Sequence, residues 1–502
     1  MSDHVDRRTF LKAVGFGAAA AAMPRLLPGK EDSPRKCNIL FILIDDLGWR
    51  DVGFMGSRYY QTPHIDKLAG EGMIFTRAYT NGPNCAPTRA CLLSGQYTPR
   101  HGVYTVGTSA RGSSRHRKLI PIKNTTTLDA KVVTIAEALK SAGYTTASMG
   151  KWHLGSGPVT GPRGQGFDVN VGGNQAGSPR SYFSPYHNPR LPDGPKGEYL
   201  TDRLTDEAIK FIEANRTKPF FLYLPHYAVH TPIQAKKELI AKYKGKAPSG
   251  GQGNPAYAAM IESTDQGVGR IMDALEELKL ADNTVVFFFS DNGGVGRITS
   301  NAPLRGAKGM LYEGGVRVPL AVRWPGKIKP GSKCDTPVIG IDFYPTILQM
   351  AGAARPAGQV LDGESLVGLM TAGRPPKRKA IFWHFPCYLQ AAGRGRWRTT
   401  PAGAVQQDDW KLIEFFEDGR LELYNLADDL GEKNDLAAKM PQRTKQMHEL
   451  LKAWRKSLGA PVPTQRNEDY DPNAPVGKQG RRRAGGRKAA TTKPSGSGRG
   501  RT

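Results

Sequence analysis

Asn38-Ile-Leu-Phe-Ile-Leu-Ile44, followed at once by Asp45-Asp46-Leu47-Gly48, is an uninterrupted apolar run that ends in two adjacent carboxylates. A run without polar alternation fits a strand covered on both faces, as in a parallel sheet, with its polar residues at the carboxyl end. The same texture recurs three times. Tyr144 to Met149 leads into Gly150-Lys151-Trp152-His153, Pro219 to Leu224 into Pro225-His226-Tyr227-Ala228-Val229-His230, and Thr284 to Phe289 into Ser290-Asp291-Asn292-Gly293-Gly294. Helical periodicity precedes these later runs, over Val133 to Ala142, Asp202 to Asn215 and Tyr257 to Leu278. The alternation predicts an α/β sandwich with a large, mostly parallel sheet between helices. Such sheets gather ligand groups outside the carboxyl ends of their strands, so the four polar clusters are expected to share one site.

Beyond about residue 375 the pattern changes. Ala380 to His384, Asp409 to Phe416 and Leu421 to Tyr424 read as short antiparallel strands and Gln442 to Ser457 as a helix, a small α+β subdomain. The Gly-rich stretches Gly107 to Lys118 and Ala247 to Asn254 read as loops, and Gly172 to Gly197 as an aromatic-rich loop containing His187, a candidate carbohydrate wall or plain packing.

Cys85-Ala86-Pro87-Thr88-Arg89 adds a thiol, a rigid Pro and an Arg within one helical turn. Pro87 suits a first turn, where no backbone N–H is required, and Arg89 falls on the same face as Cys85. The helix start offers an anion site. Cys85-x-Pro87-x-Arg89 resembles the signature of the type I sulfatases, in which the Cys is oxidised after translation to formylglycine. Asn84 and Thr88 stand where that family more often has a small apolar residue and Ser. The resemblance covers about residues 36 to 460 and implies an alkaline-phosphatase-like sandwich with a large, mostly parallel mixed sheet between helices and a small C-terminal α+β subdomain with a short antiparallel sheet. It implies a sulfuric ester hydrolase, arylsulfatase-like, with formylglycine (3-oxoalanine) at residue 85 made by a formylglycine-generating enzyme.

Asp45, Asp46, Asp291 and Asn292 offer only oxygen ligands, which suits a hard divalent ion, calcium ahead of magnesium, and argues against zinc. Singly, each cluster reads equally well as a strand-end turn. By resemblance the four residues match the family's metal ligands, with the modified Cys85 completing the shell. A thiolate attacking sulfur would leave a stable thiosulfate ester. An aldehyde hydrate has one hydroxyl to attack and a second whose deprotonation expels sulfate, which explains an oxidisable residue here. Arg89 would hold the hydrate oxygens or the site carboxylates. The resemblance further assigns sulfate contact to Lys151, hydrate deprotonation to His153, protonation of the leaving alcohol to His230, and the sulfate and leaving oxygen to Lys308. Met149 is larger than the family's usual residue before Gly150-Lys151. Arg305 competes with Lys308 for its role, and His226 is either a substrate contact or a core histidine.

Length, charge and cysteines bound the rest. The chain has 502 residues and a formal charge of +26, of which nine cations without an acid lie between Lys478 and Arg501, leaving +17 elsewhere. That end reads as a solvated, disordered tail able to attract polyanions without specificity; no specific nucleic-acid partner is implied. Arg7-Arg8-Thr9-Phe10-Leu11-Lys12 and the apolar run Ala13 to Met23 read as a twin-arginine export signal, too short to span a bilayer. The expected organisation is a signal and linker over 1–30, a catalytic α/β domain over 36–375, the α+β subdomain over 376–462 and the basic tail over 463–502. The expected protein is periplasmic or extracellular, uses the twin-arginine translocon and has no transmembrane domain. Five cysteines without CxxC spacing exclude a structural zinc framework. The predicted substrate is a sulfated carbohydrate or an aryl sulfate. Two other readings stay open: a phosphate or phosphonate ester hydrolase of the same fold, and a non-catalytic polyanion-binding protein acting through its tail.

Overall fold

The computed structural model describes residues 36–391 and 396–476. The export signal and the cationic residues from Lys478 onward lie outside the described residues. The large sheet is built from β1 (Asn38–Ile44), β2 (Met73–Tyr79), β3 (Thr145–Met149), β4 (Val169–Val171), β5 (Phe220–Pro225), β6 (Thr284–Ser290), β7 (Arg317–Arg323), β8 (Ser332–Cys334) and β9 (Val338–Ile339). Its order is β4-β3-β5-β1-β6-β7-β2-β8, with β9 beside β2.

β1 is central, parallel to β5 on one side and to β6 on the other. Its unbroken apolar sequence has a direct cause. Leu40, Ile42 and Ile44 enter one core with the helices Leu200–Ala214 and Pro255–Glu277, while Ile39, Phe41 and Leu43 enter the opposite core with Ile135–Ser141 and Phe343–Ala351. Both faces of the pleat are therefore dry, and alternation would have exposed a polar group to one core. β7 runs antiparallel to both β6 and β2, so the sheet is mixed at that edge.

The second sheet contains β10 (Ile381–Phe385), β13 (Ala402–Gln407), β14 (Trp410–Phe415) and β15 (Leu421–Asn425), all antiparallel, while β11 (Leu389–Gln390) and β12 (Trp397–Thr399) form a separate pair. Met447 and Leu451 of the helix Pro441–Leu458 cover Val405, Leu412 and Leu423 of this sheet. Both sheets belong to one compact unit that begins at Cys37. Residues 463–476, read above with the basic tail, depart from that expectation. Asn467 donates to the carbonyls of Ser114 and Arg117, and the Asp471 N–H donates to Arg115 O, so backbone and amide bonds fasten this stretch to the 107–118 loop. The five cysteines are free thiols. Among the described residues no helix is long and apolar enough to cross a membrane.

Asp265, on the helix Pro255–Glu277, accepts the Ile65 N–H at 2.8 Å and so holds the first turn of the helix Pro63–Gly70. Burial pushes its carboxyl up to about 7, against the opposing backbone bond. A raised carboxyl pKa means that this group's contribution is complete below its unfolded value near ~4 and is lost as pH rises through about 7. Asp265→Asn keeps the acceptor oxygen and removes the titration. Between pH 5 and pH 8 its stability in urea should fall by ~1–2 kcal/mol less than that of the wild type. Parallel pH profiles would refute the assignment.

Candidate active site

Four strand ends deliver the site. After β1, Asp45 and Asp46 are buried, and Asp46 adopts a left-handed backbone (φ 65°), a conformation that Asp tolerates better than most residues. After β6, the Asp291 N–H donates to Ile44 O at 3.1 Å and its Oδ1 accepts the Asp46 N–H at 3.2 Å, which locks the two acidic segments together. After β3, Gly150 (φ 125°) turns the chain where a Cβ would stand 2.0 Å from Pro225 O, a position open only to glycine. Lys151 and His153 follow that turn. After β5, the segment to His230 is held by Tyr182, whose Oη lies 2.5 and 2.9 Å from the carbonyls of Tyr227 and His230.

Cys85 begins a helix, Cys85–Ser94, in which every residue is buried. The Thr88 hydroxyl reaches the carbonyls of Gly82 and Asn84, both at 3.1 Å, and Asn84 Nδ2 donates to Thr105 Oγ1 at 2.9 Å. Arg89, wholly buried, donates through Nε and Nη2 to Asp291 Oδ2 at 3.0 and 2.7 Å and through Nη1 to Lys151 O at 2.6 Å. Its guanidinium thereby ties the ends of β3 and β6 and lies 3.9 Å from Asp45 at the end of β1. Lys151 Nζ is 2.5 Å from Asp45 Oδ2, and Lys308 Nζ is 2.5 Å from Asp46 Oδ1. Asn292 Nδ2 donates to Asp46 Oδ1 at 2.8 Å. Three carboxylates thus face three cations out of water, where an unanswered charge would cost several kcal/mol.

The charges decide the protonation states. Burial pushes the carboxyls of Asp45 and Asp291 up, with neighbouring carboxylates adding to it. Asp46 is the exception: burial raises it too, yet Lys308, His230 and Lys151 together hold it below the usual carboxylate range. At Cys85, burial raises the thiol and the ammonium groups of Lys151 and Lys308 outweigh it, so the thiol lies below its ordinary value. His153 faces it, Nδ1 to Sγ 3.5 Å, and is pushed down by burial and then by Lys151 and Arg89, which leaves a neutral imidazole. His230 Nδ1 lies 2.7 Å from Thr231 O, and because a carbonyl can only accept, that nitrogen carries the proton. Its Nε2 is therefore the one turned to the site, 3.7 Å from Asp46 Oδ2.

The donor set fits a hard cation. Asp45 Oδ1 and Asn292 Oδ1 are buried oxygens without a hydrogen-bond partner, in a protein interior that normally satisfies such atoms. Ligand atoms of Asp45, Asp46 and His230 lie within 4.8 Å of one another, as do those of Asp45, Cys85 and Asp291. The preponderance of carboxylate and amide oxygen suits calcium or magnesium better than zinc.

Most of the residues singled out from the sequence meet here. His226 does not: it is buried with both ring nitrogens unpartnered and is pushed down to about 4 by burial, without a neighbouring charge among the causes. Arg305 turns away to Tyr424 Oη and Glu432 O, each at 2.8 Å, which leaves Lys308 as the loop's cation at the carboxylates. Tyr182 and Tyr186 of the 172–197 loop are core residues rather than a carbohydrate wall. Two supports escaped the sequence reading. Asp51, pushed up to about 6 by burial, accepts the Gly48 N–H and the Tyr257 hydroxyl beneath Asp46. Lys411 of β14 binds Glu313 at 2.8 Å and Glu432 at 3.0 Å, fastening the segment after Lys308 to the small sheet. Asp51 follows Asp46 by five residues and Lys411 lies about a hundred residues beyond Lys308, and a lone Asp or strand Lys carries no local signal.

The family description Sulfatase matches residues 37–353, and that of N-sulphoglucosamine sulphohydrolase, C-terminal, matches residues 307–457. A protein of Formosa agariphila described as a sulfatase is 35% identical, over 91% of this chain and 95% of its own length. The N-acetylgalactosamine-6-sulfatase of Canis lupus familiaris is 33% identical, over 77% of this chain and 74% of that protein. The crystal structure of Ps i-CgsB in complex with k-i-k-neocarrahexaose has a TM-score of 0.73 at 30% identity, covering 86% of this chain and 95% of that one.

Proposed function

The chain belongs to the sulfatase family and is an enzyme with sulfatase activity, and from that premise we propose that it cleaves a sulfate monoester from a sulfated glycan after export from the bacterial cytoplasm. The observation that carries this reading is the meeting of Asp45, Asp46, Asp291, Asn292, Cys85, Arg89, Lys151 and Lys308 at the carboxyl ends of β1, β3 and β6 and the start of one buried helix. Relatives named for N-acetylgalactosamine 6-sulfate and a neighbour solved with a neocarrahexaose support the glycan as substrate class. The paired Arg7-Arg8 and the apolar run to Met23 support twin-arginine export.

Oxidation of Cys85 to formylglycine would supply an oxygen nucleophile for sulfur, and a divalent cation held by Asp45, Asp46, Asp291 and Asn292 would neutralise charge on the sulfate oxygens. The chain's own residues do the rest. Lys151 and Lys308, both charged, clamp the sulfate oxygens and stabilise charge as it moves towards the leaving oxygen. His153, a neutral base 3.5 Å from the residue 85 side chain, moves protons there. His230 gives the Nε2 proton of its imidazolium form, which the Asp46 carboxylate 3.7 Å away favours against burial, to the departing alcohol. Arg89 touches carboxylates and a backbone carbonyl and keeps the ligand geometry.

The test is sulfate release from 4-nitrophenyl sulfate and from a sulfated oligosaccharide by full-length protein, with 4-nitrophenyl phosphate alongside. Release from the sulfate esters at least ~10²-fold faster than from the phosphate ester is expected; the reverse order would overturn the reading. Treatment with a chelator that removes calcium should lower the rate by ~10²-fold or more, and calcium should restore it where zinc does not. Full activity in protein shown to be metal-free would remove the cation from the reading.

A further inference from the structure

Three arginines from separate segments border the Lys308 loop beside this site without a salt bridge to any carboxylate among the described residues. Arg398, on β12, donates through Nη1 to Lys308 O at 3.4 Å. The approach depends on Gly309 (φ 91°), where a Cβ would stand 2.6 Å from Arg398 Cδ. Arg111 arrives from the 107–118 loop, its guanidinium tied only to Val106 O; next to it, a Cβ at Gly112 would lie 2.9 Å from the Trp397 ring, one residue before Arg398. Arg297 is exposed on the loop that follows Asp291-Asn292, and a Cβ at the adjacent Gly296 would lie 3.2 Å from Ala307 Cβ, one residue before Lys308.

Arg100 is answered by Asp362, Arg323 by Glu71 and Arg378 by Asp342, while Arg50 and Arg117, like Arg111 and Arg398, reach backbone carbonyls. Arg111, Arg297 and Arg398 repel one another. Burial and then Arg111 and Arg297 hold the Arg398 guanidinium below its ordinary range, with Asp46 acting in the opposite sense. Arg111 is lowered by burial, with Cys85 opposing. Both therefore sense the charges of the catalytic cluster. A planar guanidinium is the side chain best shaped to take an oxyanion in a forked hydrogen bond, and three uncompensated ones beside a sulfate site favour a ligand that brings more than one negative group.

We propose that Arg111, Arg297 and Arg398 form an anion subsite that binds a second oxyanion, a sulfate ester or a uronate carboxylate, on the same glycan whose sulfate is cleaved. The inference rests on the sulfatase reading and narrows its substrate to multiply charged glycans. A small monosulfated ester does not engage the subsite.

The binding test uses full-length Cys85→Ala protein and titration calorimetry at physiological salt. The probes are a monosulfated oligosaccharide, its disulfated counterpart, and a counterpart in which a uronate carboxylate replaces the second sulfate. The disulfated probe should bind about tenfold more tightly than the monosulfated one, and Arg111→Ala with Arg297→Ala should erase that margin while monosulfate affinity stays within about twofold. The carboxylate probe tells which oxyanion is preferred. With Cys85 intact, the same pair of substitutions, or Arg398→Met, should raise KM for the disulfated substrate and leave kcat/KM for 4-nitrophenyl sulfate unchanged. Absence of a margin with all three arginines in place, its survival in the arginine variants, or equal losses on all probes would overturn the subsite. A margin that behaves as expected in a protein that releases no sulfate would instead overturn the sulfatase reading alone.

Discussion

Cys85→Ala should reduce sulfate release by about 10⁴-fold or more while leaving the protein folded, because it deletes the reacting group and little else. In the structure the Cys85 Sγ has one polar contact, His153 Nδ1 at 3.5 Å, and the helix that it begins is held independently by Thr88, Asn84 and Arg89. Loss of one buried sulfur costs on the order of 1 kcal/mol, so a thermal midpoint close to that of the wild type is expected with the activity gone. The companion measurement is peptide mass spectrometry across residue 85 of active protein from a host with the modifying machinery. The residue should have lost its sulfur and two hydrogens and gained one oxygen. Fully active protein with an intact thiol at residue 85, or an alanine variant with near-normal rates, would exclude this nucleophile.

Arg89→Met should be damaging in a different way, to stability and site together. The guanidinium makes three hydrogen bonds, two to Asp291 Oδ2 and one to Lys151 O, and lies 3.9 Å from Asp45. Methionine fills part of the volume and leaves Asp291 buried beside Asp45 without its main counter-charge, a change that costs about 3–5 kcal/mol in comparable buried pairs. Asp291, already pushed up by burial, can escape part of that cost by taking a proton, and a protonated Asp291 is a poorer cation ligand. The variant should therefore show a lower thermal midpoint, reduced calcium binding and at least a ~10²-fold loss of activity. Arg89→Lys keeps the charge but not the fork and should fall between. A variant with wild-type midpoint and metal content would show that Arg89 is not the clamp.

The strand-end clusters were legible because each is a local pattern. An apolar run followed by Asp-Asp, Gly-Lys-Trp-His or Asp-Asn-Gly-Gly announces a buried strand and its polar end whatever lies elsewhere, and the observed strands match the expected ones within one or two residues. β13 was missed, since Ala402–Gln407 holds Ala and Gly in place of the β-branched and aromatic residues that mark a strand, and it forms only because β10 and β14 pair with it on both sides. The reversal of β7 was equally hidden, because a strand's composition does not encode the direction of its partner.

Taken alone, the amino-acid order determined the alternation of elements, the run of oxygen-bearing side chains at the strand ends and the cysteine at a helix start, since each depends on neighbours in the chain. Tertiary structure decided which cation reaches the carboxylates: Lys308 does, because Tyr424 and Glu432 draw Arg305 aside, and Arg89 is the one shared by Asp291 and the Lys151 turn. It also decided that His226 stands apart and that three arginines from distant segments come together without a salt bridge to a carboxylate among the described residues. Electrostatic energy depends on distance through space and on exclusion of water, and neither quantity exists until the chain has folded.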